Sequence, residues 1–132
     1  MTFIEWKKSY AVGNPLVDYD HMTLVSITNE LFYRVEQGYS AEEIAKTISQ
    51  LTDYVERHFA REEDLFKGTE YPDIDKHVAM HADITKTVRD IATAYTANPS
   101  AINVFEVLDF LKTWLTHHIM KADRGYGPYL KG

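Results

Sequence analysis

The amino-acid sequence predicts an all-α protein, an antiparallel up-down-up-down four-helix bundle with an extended N-terminal arm. Three observations support this fold class. Proline and glycine are sparse and separate four long segments. Within each segment, apolar residues recur at alternating intervals of three and four residues, as they do on one face of a helix. No segment sustains the alternation of apolar and polar residues that is typical of a half-buried strand. Because the connections are short, neighbouring helices are expected to run antiparallel.

Local signals set the expected boundaries of each element. The predicted helices cover residues 18–37, 41–67, 72–97 and 101–123. Ser40 and Glu43 are spaced as a capping box that opens the second helix. Pro72 suits the first turn of the third helix, Ser100 can cap the fourth, and Gly125 can end it in a left-handed conformation. Four apolar side chains of the arm are expected to pack across the bundle: Phe3, Ile4, Trp6 and Tyr10.

Composition limits the class of protein. The 132 residues suit one domain, which we expect to span 1–132, and the net charge of -6 argues against nucleic acid or an anionic membrane as partner. No apolar run is long enough to cross a bilayer, so no membrane insertion is expected. The N-terminus lacks the apolar core of a signal peptide, which favours a cytoplasmic location. Without cysteine, any metal must bind nitrogen and oxygen ligands.

The predicted apolar stripes carry polar residues that a simple core would not contain. Six such residues lie on the stripes: His21, His58, Glu62, His77, His81 and His118. A lone core histidine is most often a hydrogen-bonded structural residue, but two pairs have the four-residue spacing that lets both side chains reach one metal. Burying a carboxylate among imidazoles is costly unless a cation compensates it. By contrast, His117 is predicted to be a surface residue, and the charged side chains of Glu63 and Asp64 are predicted to face solvent.

The chemistry of this ligand set favours two metal ions. Imidazole and carboxylate without sulfur suit iron, zinc, copper or manganese, so the residues alone leave the metal open. Five imidazoles and a carboxylate exceed what one tetrahedral site needs, which indicates two metals bridged by the carboxylate. The other common two-iron design in helical bundles uses four glutamates with Glu-x-x-His motifs, and this chain contains no such motif.

The ordered motifs resemble the hemerythrin family, particularly its single-domain bacterial members. The resemblance covers nearly the whole chain. Its motifs are an N-terminal Trp6 segment, Asp18-Tyr19-Asp20-His21, His58-Phe59-Ala60-Arg61-Glu62-Glu63, Tyr71-Pro72, His77, His81 and the run from His118 to Asp123. Asp20 stands where the family commonly has glutamine, a departure expected to affect local packing only.

The resemblance implies reversible O2 binding at two non-haem irons. It implies that His77, His81 and His118 serve one iron and that His21 and His58 serve the other. Glu62, Asp123 and an oxo or hydroxo group would bridge the two ions, and Asp123 is assigned by the resemblance alone. The iron with two histidines would keep an open position for O2. The residues expected to form a dry O2 pocket are Leu24, Phe59, Trp114, Leu115 and Ile119.

The expected function is therefore oxygen storage or delivery to an oxygen-consuming enzyme, by a monomer that is not itself an enzyme. Two alternatives belong to other classes of protein. One is O2 or redox sensing through a partner protein, and the other is di-iron peroxidase or nitric-oxide-handling activity. A weak peroxidase-type side activity is compatible with the oxygen-binding function itself. A structural metal bundle would show no response to O2.

Overall fold

A computed structural model describes residues 3–11 and 13–118. These residues form the helices α1 (Pro15–Glu36), α2 (Ala41–Phe66), α3 (Ile74–Ala97) and α4 (Val104–His117), with short 3-10 turns at Lys8–Tyr10 and Pro99–Ala101. Helix α1 packs against α2 and α4, and α2 packs against α3. The predicted all-α four-helix bundle is confirmed.

Side-chain caps explain where the first two helices begin. Asn14 accepts hydrogen bonds from the backbone N–H groups of Leu16 and Val17, and Pro15 occupies the first turn. Helix α1 therefore begins before the predicted residue 18. The predicted cap of α2 is confirmed, since the Ser40 hydroxyl accepts from the Glu43 N–H at 3.2 Å.

Two other predicted starts are wrong. Pro72 lies in a turn ahead of α3, which begins at Ile74. This turn lets the Tyr71 ring pack at 5.5 Å from Phe66. Ser100 does not cap α4 because it lies in the 3-10 turn, where its hydroxyl bonds to the Asn98 side chain. Asn103 is the cap instead.

The end of α1 has a specific backbone geometry. Gly38 has φ of 72°, a left-handed conformation that glycine adopts without steric cost. The N–H groups of Gly38 and Tyr39 then donate to the carbonyls of Val35 and Arg34. This pair of hydrogen bonds is the Schellman arrangement, which satisfies the last carbonyls of the helix and turns the chain into α2.

The N-terminal arm packs on the bundle as predicted. The Asn29 side chain donates to the Ile4 carbonyl and accepts from the Ile4 N–H, at 2.8 Å and 2.7 Å. Ile4 and Tyr10 are buried, and the Phe3 ring stacks on Phe32 at 4.5 Å. Trp6 packs against the same core. The arm is thus fixed to α1 by both backbone and side-chain contacts.

The apolar core is divided into two clusters. The larger one runs along the bundle and includes Leu24, Leu31 and Leu108. A smaller one, formed by Val17, Phe66 and Tyr71, lies where α1 and α3 begin and α2 ends. The polar layer described next contacts both clusters, so it lies between them near one end of the bundle.

Candidate metal centre

Each helix contributes to one buried polar layer. His21 lies in the first half of α1, His58 and Glu62 in the second half of α2, and His77 and His81 in the first turns of α3. Because the helices alternate in direction, these positions meet at the same end of the bundle. His118 follows the last residue of α4 and closes the layer. All six predicted residues are at most 3% exposed, and His117 is exposed as predicted.

Glu62 is the centre of this layer, and its two oxygens face different histidines. Its Oε1 lies 2.9 Å from Nε2 of His81, 3.8 Å from Nε2 of His77 and 3.9 Å from Nε2 of His118. Its Oε2 lies 3.3 Å from Nε2 of His58 and 3.6 Å from Nε2 of His21. Oε1 of Glu62 therefore faces three imidazoles, and Oε2 faces the other two.

The donor atoms are close enough to hold metal ions. His21, His58, Glu62 and His118 form one group, and Glu62, His77, His81 and His118 form another. In each group the ligand atoms all lie within 4.8 Å of one another. The donors are imidazole nitrogen and carboxylate oxygen, a set that suits iron and other first-row metals. The residues present therefore fit a pair of ions that share Glu62.

The electrostatics of Glu62 are those of an anionic ligand. Burial alone raises the pKa of its carboxyl group. The charge of His58 and the polar contacts from the imidazoles of His21, His58 and His77 act in the opposite direction and outweigh burial, so the pKa lies well below 4.5. Glu62 is therefore ionised at neutral pH and available to a cation.

Asp20 supports the layer from α1, and sequence reasoning missed this role. The carboxylate is buried and contacts Nδ1 of His58 at 3.0 Å. It also accepts hydrogen bonds from Arg61 at 2.7 and 2.8 Å and from the Tyr54 hydroxyl at 2.8 Å. Burial raises its pKa, but the bonds from His58, Arg61 and Tyr54 hold the net pKa well below 3.8. The effect of Asp20 is therefore not limited to packing.

Glu63 corrects a second expectation. It is not a fully solvated charge, because its Oε2 lies 3.0 Å from Nδ1 of His81. The side chain is 35% exposed. Together with His81 it lines a surface groove of about 550 Å³ between α2 and α3. Its position directly after a ligand-like glutamate was the only sequence signal that could have indicated this contact.

Of the five predicted pocket residues, Phe59 and Trp114 contact the layer, and Leu24 and Leu115 lie one helical turn from His21 and His118. Leu24, Phe59 and Leu115 are buried, and Trp114 is half-buried. Phe59 stacks on the His81 ring at 3.8 Å, and Trp114 stacks on His118 at 5.2 Å. The indole Nε1 of Trp114 is buried and has no hydrogen-bond partner. These walls are apolar except for that single N–H group.

Two predicted site residues lie outside the described part of the chain. Asp123, predicted as a bridging ligand, and Ile119, predicted in the pocket, both follow residue 118. The predicted end of the fourth helix and Gly125 lie there too. Across residues 3–11 and 13–118, no helix is both long and apolar enough to pass through a bilayer.

Comparisons with known proteins agree with the fold and the polar layer. The family model described as hemerythrin HHE cation binding domain matches residues 12–130. A bacteriohemerythrin of Methylococcus capsulatus is 29% identical over 131 residues, covering 98% of both chains. A hemerythrin-like protein of Naegleria gruberi is 31% identical over 121 residues, covering 92% of this chain and 88% of the relative.

Solved structures give the same result. A crystal structure of a hemerythrin mutant superposes with a TM-score of 0.91 at 28% identity and full coverage of both chains. Wild-type hemerythrin gives 0.90 at the same identity, covering 98% of this chain and 99% of that one. Together, the family match, the named relatives, the fold and the histidine layer support a protein of the non-haem di-iron, O2-binding type. The chain belongs to the hemerythrin family.

Proposed function

We propose that this chain binds O2 reversibly at two irons and serves in oxygen storage or in delivery to oxygen-requiring enzymes of the cytoplasm. The observation that carries the proposal is the position of Glu62. Its two carboxylate oxygens face two separate sets of imidazoles within one buried layer, at 2.9–3.9 Å. A carboxylate in that position can bridge two ions, which a structural site for one metal does not require.

The proposed ligands divide according to the two oxygens of Glu62. His77, His81 and His118 would hold one iron, and His21 and His58 the other. Asp123 and an oxo or hydroxo group are proposed as further bridges. Two ferrous ions held in this way would supply the two electrons that reversible O2 binding needs. His21 and His58 offer one imidazole fewer than the other set, so the ion that they hold would be the one with room for O2.

The residues around the proposed O2 pocket exclude water and proton donors. Leu24, Phe59 and Leu115 present carbon atoms, and Trp114 adds an indole N–H that is a hydrogen-bond donor but a very weak acid. A dry wall of this kind disfavours the proton-driven loss of reduced oxygen that would leave the irons ferric. This arrangement supports an oxygen carrier rather than an enzyme, and we propose that the carrier is a monomer.

Anaerobic reduction followed by air tests the proposal. The iron content is measured together with the visible spectrum, and vacuum or argon is then applied. Two irons per chain and an oxygen-dependent band that disappears on deoxygenation are expected. Fewer than two irons, or a band that does not reverse, would contradict reversible binding. Sustained turnover of peroxide or nitric oxide that outpaces stable O2 binding would favour the enzymatic alternative.

A further inference from the structure

We propose that Asp20 is a positioning residue that orients His58 toward Glu62 and thereby controls how tightly the iron bound by His21 and His58 is retained. The inference rests on the two-iron centre proposed above. It concerns metal retention rather than O2 binding, so the two can fail separately.

Asp20 is held by four contacts that use both of its oxygens. Oδ1 accepts from Tyr54 Oη at 2.8 Å and from Arg61 Nη2 at 2.7 Å. Oδ2 accepts from Arg61 Nε at 2.8 Å and contacts His58 Nδ1 at 3.0 Å. The two parallel bonds from Arg61 form the bidentate pair that fixes a carboxylate in plane. Asp20 is therefore rigid and anionic on geometric grounds.

An anionic carboxylate only accepts hydrogen bonds, and this fixes the tautomer of His58. When Nε2 of His58 gives its lone pair to a metal ion, the one proton of the ring must lie on Nδ1, toward Asp20. Nε2 is the atom 3.3 Å from Glu62 Oε2 and within the candidate metal group. Asp20 thus presents His58 in the state that a metal requires.

The four contacts of Asp20 join two helices. Tyr54, His58 and Arg61 lie on successive turns of one face of α2, whereas Asp20 lies on α1 next to His21. The Arg61 guanidinium also lies 5.5 Å from the Tyr54 ring, which holds both donors together. Asp20 therefore fixes the distance between the two helices that carry His21 and His58.

The two proposed metal positions differ in how they are supported. Glu63 contacts His81 in the same manner, but it is 35% exposed and faces the groove, whereas the Asp20 side chain is 3% exposed. A hydrogen bond to an anion is stronger where water does not screen it. A carboxylate behind a metal-binding imidazole raises its basicity and strengthens the metal bond. The support from Asp20 therefore favours retention at the position with only two imidazoles.

The experiment compares Asp20→Asn, Asp20→Glu and the control Asp109→Asn, which changes an exposed carboxylate on α4. Reduced, iron-loaded protein is mixed with a ferrous chelator, and the rate at which each of the two irons is released is measured. Removing a second-layer partner typically weakens metal binding by about 10- to 100-fold. In Asp20→Asn we expect one of the two irons to leave faster by that factor, with partial rescue in Asp20→Glu. Asp109→Asn should match the wild type.

A spectroscopic readout separates positioning from a general loss of structure. In iron-free protein, the His58 Nδ1–H proton resonance is expected to be shifted downfield and protected from exchange, and to lose both properties in Asp20→Asn. If Asp20→Asn does not fold, Tyr54→Phe removes one of the four contacts and should give a smaller effect in the same direction.

The possible results separate this inference from the proposed function. Release at the control rate, or equal acceleration of both irons, would overturn the role of Asp20. A wild type that holds two irons but shows no reversible O2 band would overturn the oxygen-carrier function and leave the Asp20 comparison intact. Wild-type protein that binds fewer than two irons would overturn both.

Discussion

Leu115 is the position at which core packing and the proposed chemistry can be separated. It lies on α4 beside the histidine layer and is 1% exposed. Leu108 lies on the same stripe, is also 1% exposed, and precedes Leu115 by two helical turns, or about 10 Å. Truncating either residue to alanine removes the same atoms from the same core. Only Leu115→Ala opens space next to the proposed metal centre.

The stability cost of the two variants follows from burial. Removing three carbon atoms from a fully buried leucine forfeits roughly 2.4 kcal/mol of transfer free energy at about 0.8 kcal/mol per methylene. Incomplete collapse of the cavity adds to this, so a total of about 3 kcal/mol is expected. For a chain of 132 residues, this loss lowers the unfolding midpoint by about 10 °C. The protein should still be folded at room temperature because small domains have about 5–15 kcal/mol of stability.

The assay measures the unfolding midpoint, the iron content and the lifetime of the oxygen-dependent absorption band. Both variants should lose similar stability, whereas only Leu115→Ala should shorten the lifetime of the band. Its cavity lies next to the imidazoles and carboxylate of the layer, which can hydrogen-bond a water molecule, whereas the apolar cavity of Leu108→Ala stays dry. Equal shortening in Leu108→Ala would mean that loss of stability controls the lifetime. An unchanged lifetime in Leu115→Ala would refute the protective role of the apolar wall.

Three further predictions concern other contacts. Glu62→Gln should lower the iron content, measured by metal analysis, below two per chain. The lone pair of an amide nitrogen is delocalised, so glutamine offers only one oxygen to an ion where glutamate offers two. A full complement of iron would contradict the bridging position of Glu62. In iron-free protein, the stability difference between wild type and Asp20→Asn should be constant well above pH 3.8 and narrow below it. The stability difference has this pH dependence because a carboxyl group whose pKa is lowered in the native state stabilises the fold only while it is ionised. Denaturant titrations at several pH values measure the free energy of unfolding of both proteins. A stability difference that grows on acidification would contradict the prediction. Asn29→Ala should lower the free energy of unfolding by roughly 1–3 kcal/mol because the Ile4 backbone loses both hydrogen-bond partners. The arm should then be cleaved by a protease faster than in the control Thr113→Ala, which changes an exposed residue of α4. Equal rates of cleavage in the two variants would refute this prediction.

The sequence predicted the histidine layer because helical periodicity carries that information directly. His58 and Glu62, or His77 and His81, fall on one face whenever the segment is helical, and burial of that face follows from the apolar residues around them. The layer could therefore be predicted before any contact between helices was known.

Contacts between helices were not predictable in the same way. Asp20 precedes His21 by one residue and so projects about 100° away from the core stripe, where a carboxylate normally faces solvent. Its burial depends on Tyr54 and Arg61, which belong to α2. Glu63 was missed for the same reason. Periodicity within one helix does not record the partner that a neighbouring helix supplies.

The errors in the predicted starts of the helices have a local cause. Asn14 and Asn103 both cap helices, but Ser100 matched the same capping rule and lay nearer the predicted start of α4. The 3-10 turn at Pro99–Ala101 separated the candidate cap from the helix. Several residues can satisfy a capping rule, and only the path of the chain selects one.

The position of the polar layer near one end of the bundle divides the molecule into two regions with different opening behaviour. The region beyond it holds the part of the larger apolar cluster around Leu31, Ile48 and Leu108. Amide hydrogen exchange in that region is expected to require global unfolding. Among residues 3–11 and 13–118, the end that carries Val17, Phe66 and Tyr71 has the smaller cluster. We therefore expect its amides to exchange through local opening unless bound metal holds the four helices together. Slow exchange at that end is therefore a direct measure of metal occupancy, independent of any optical signal.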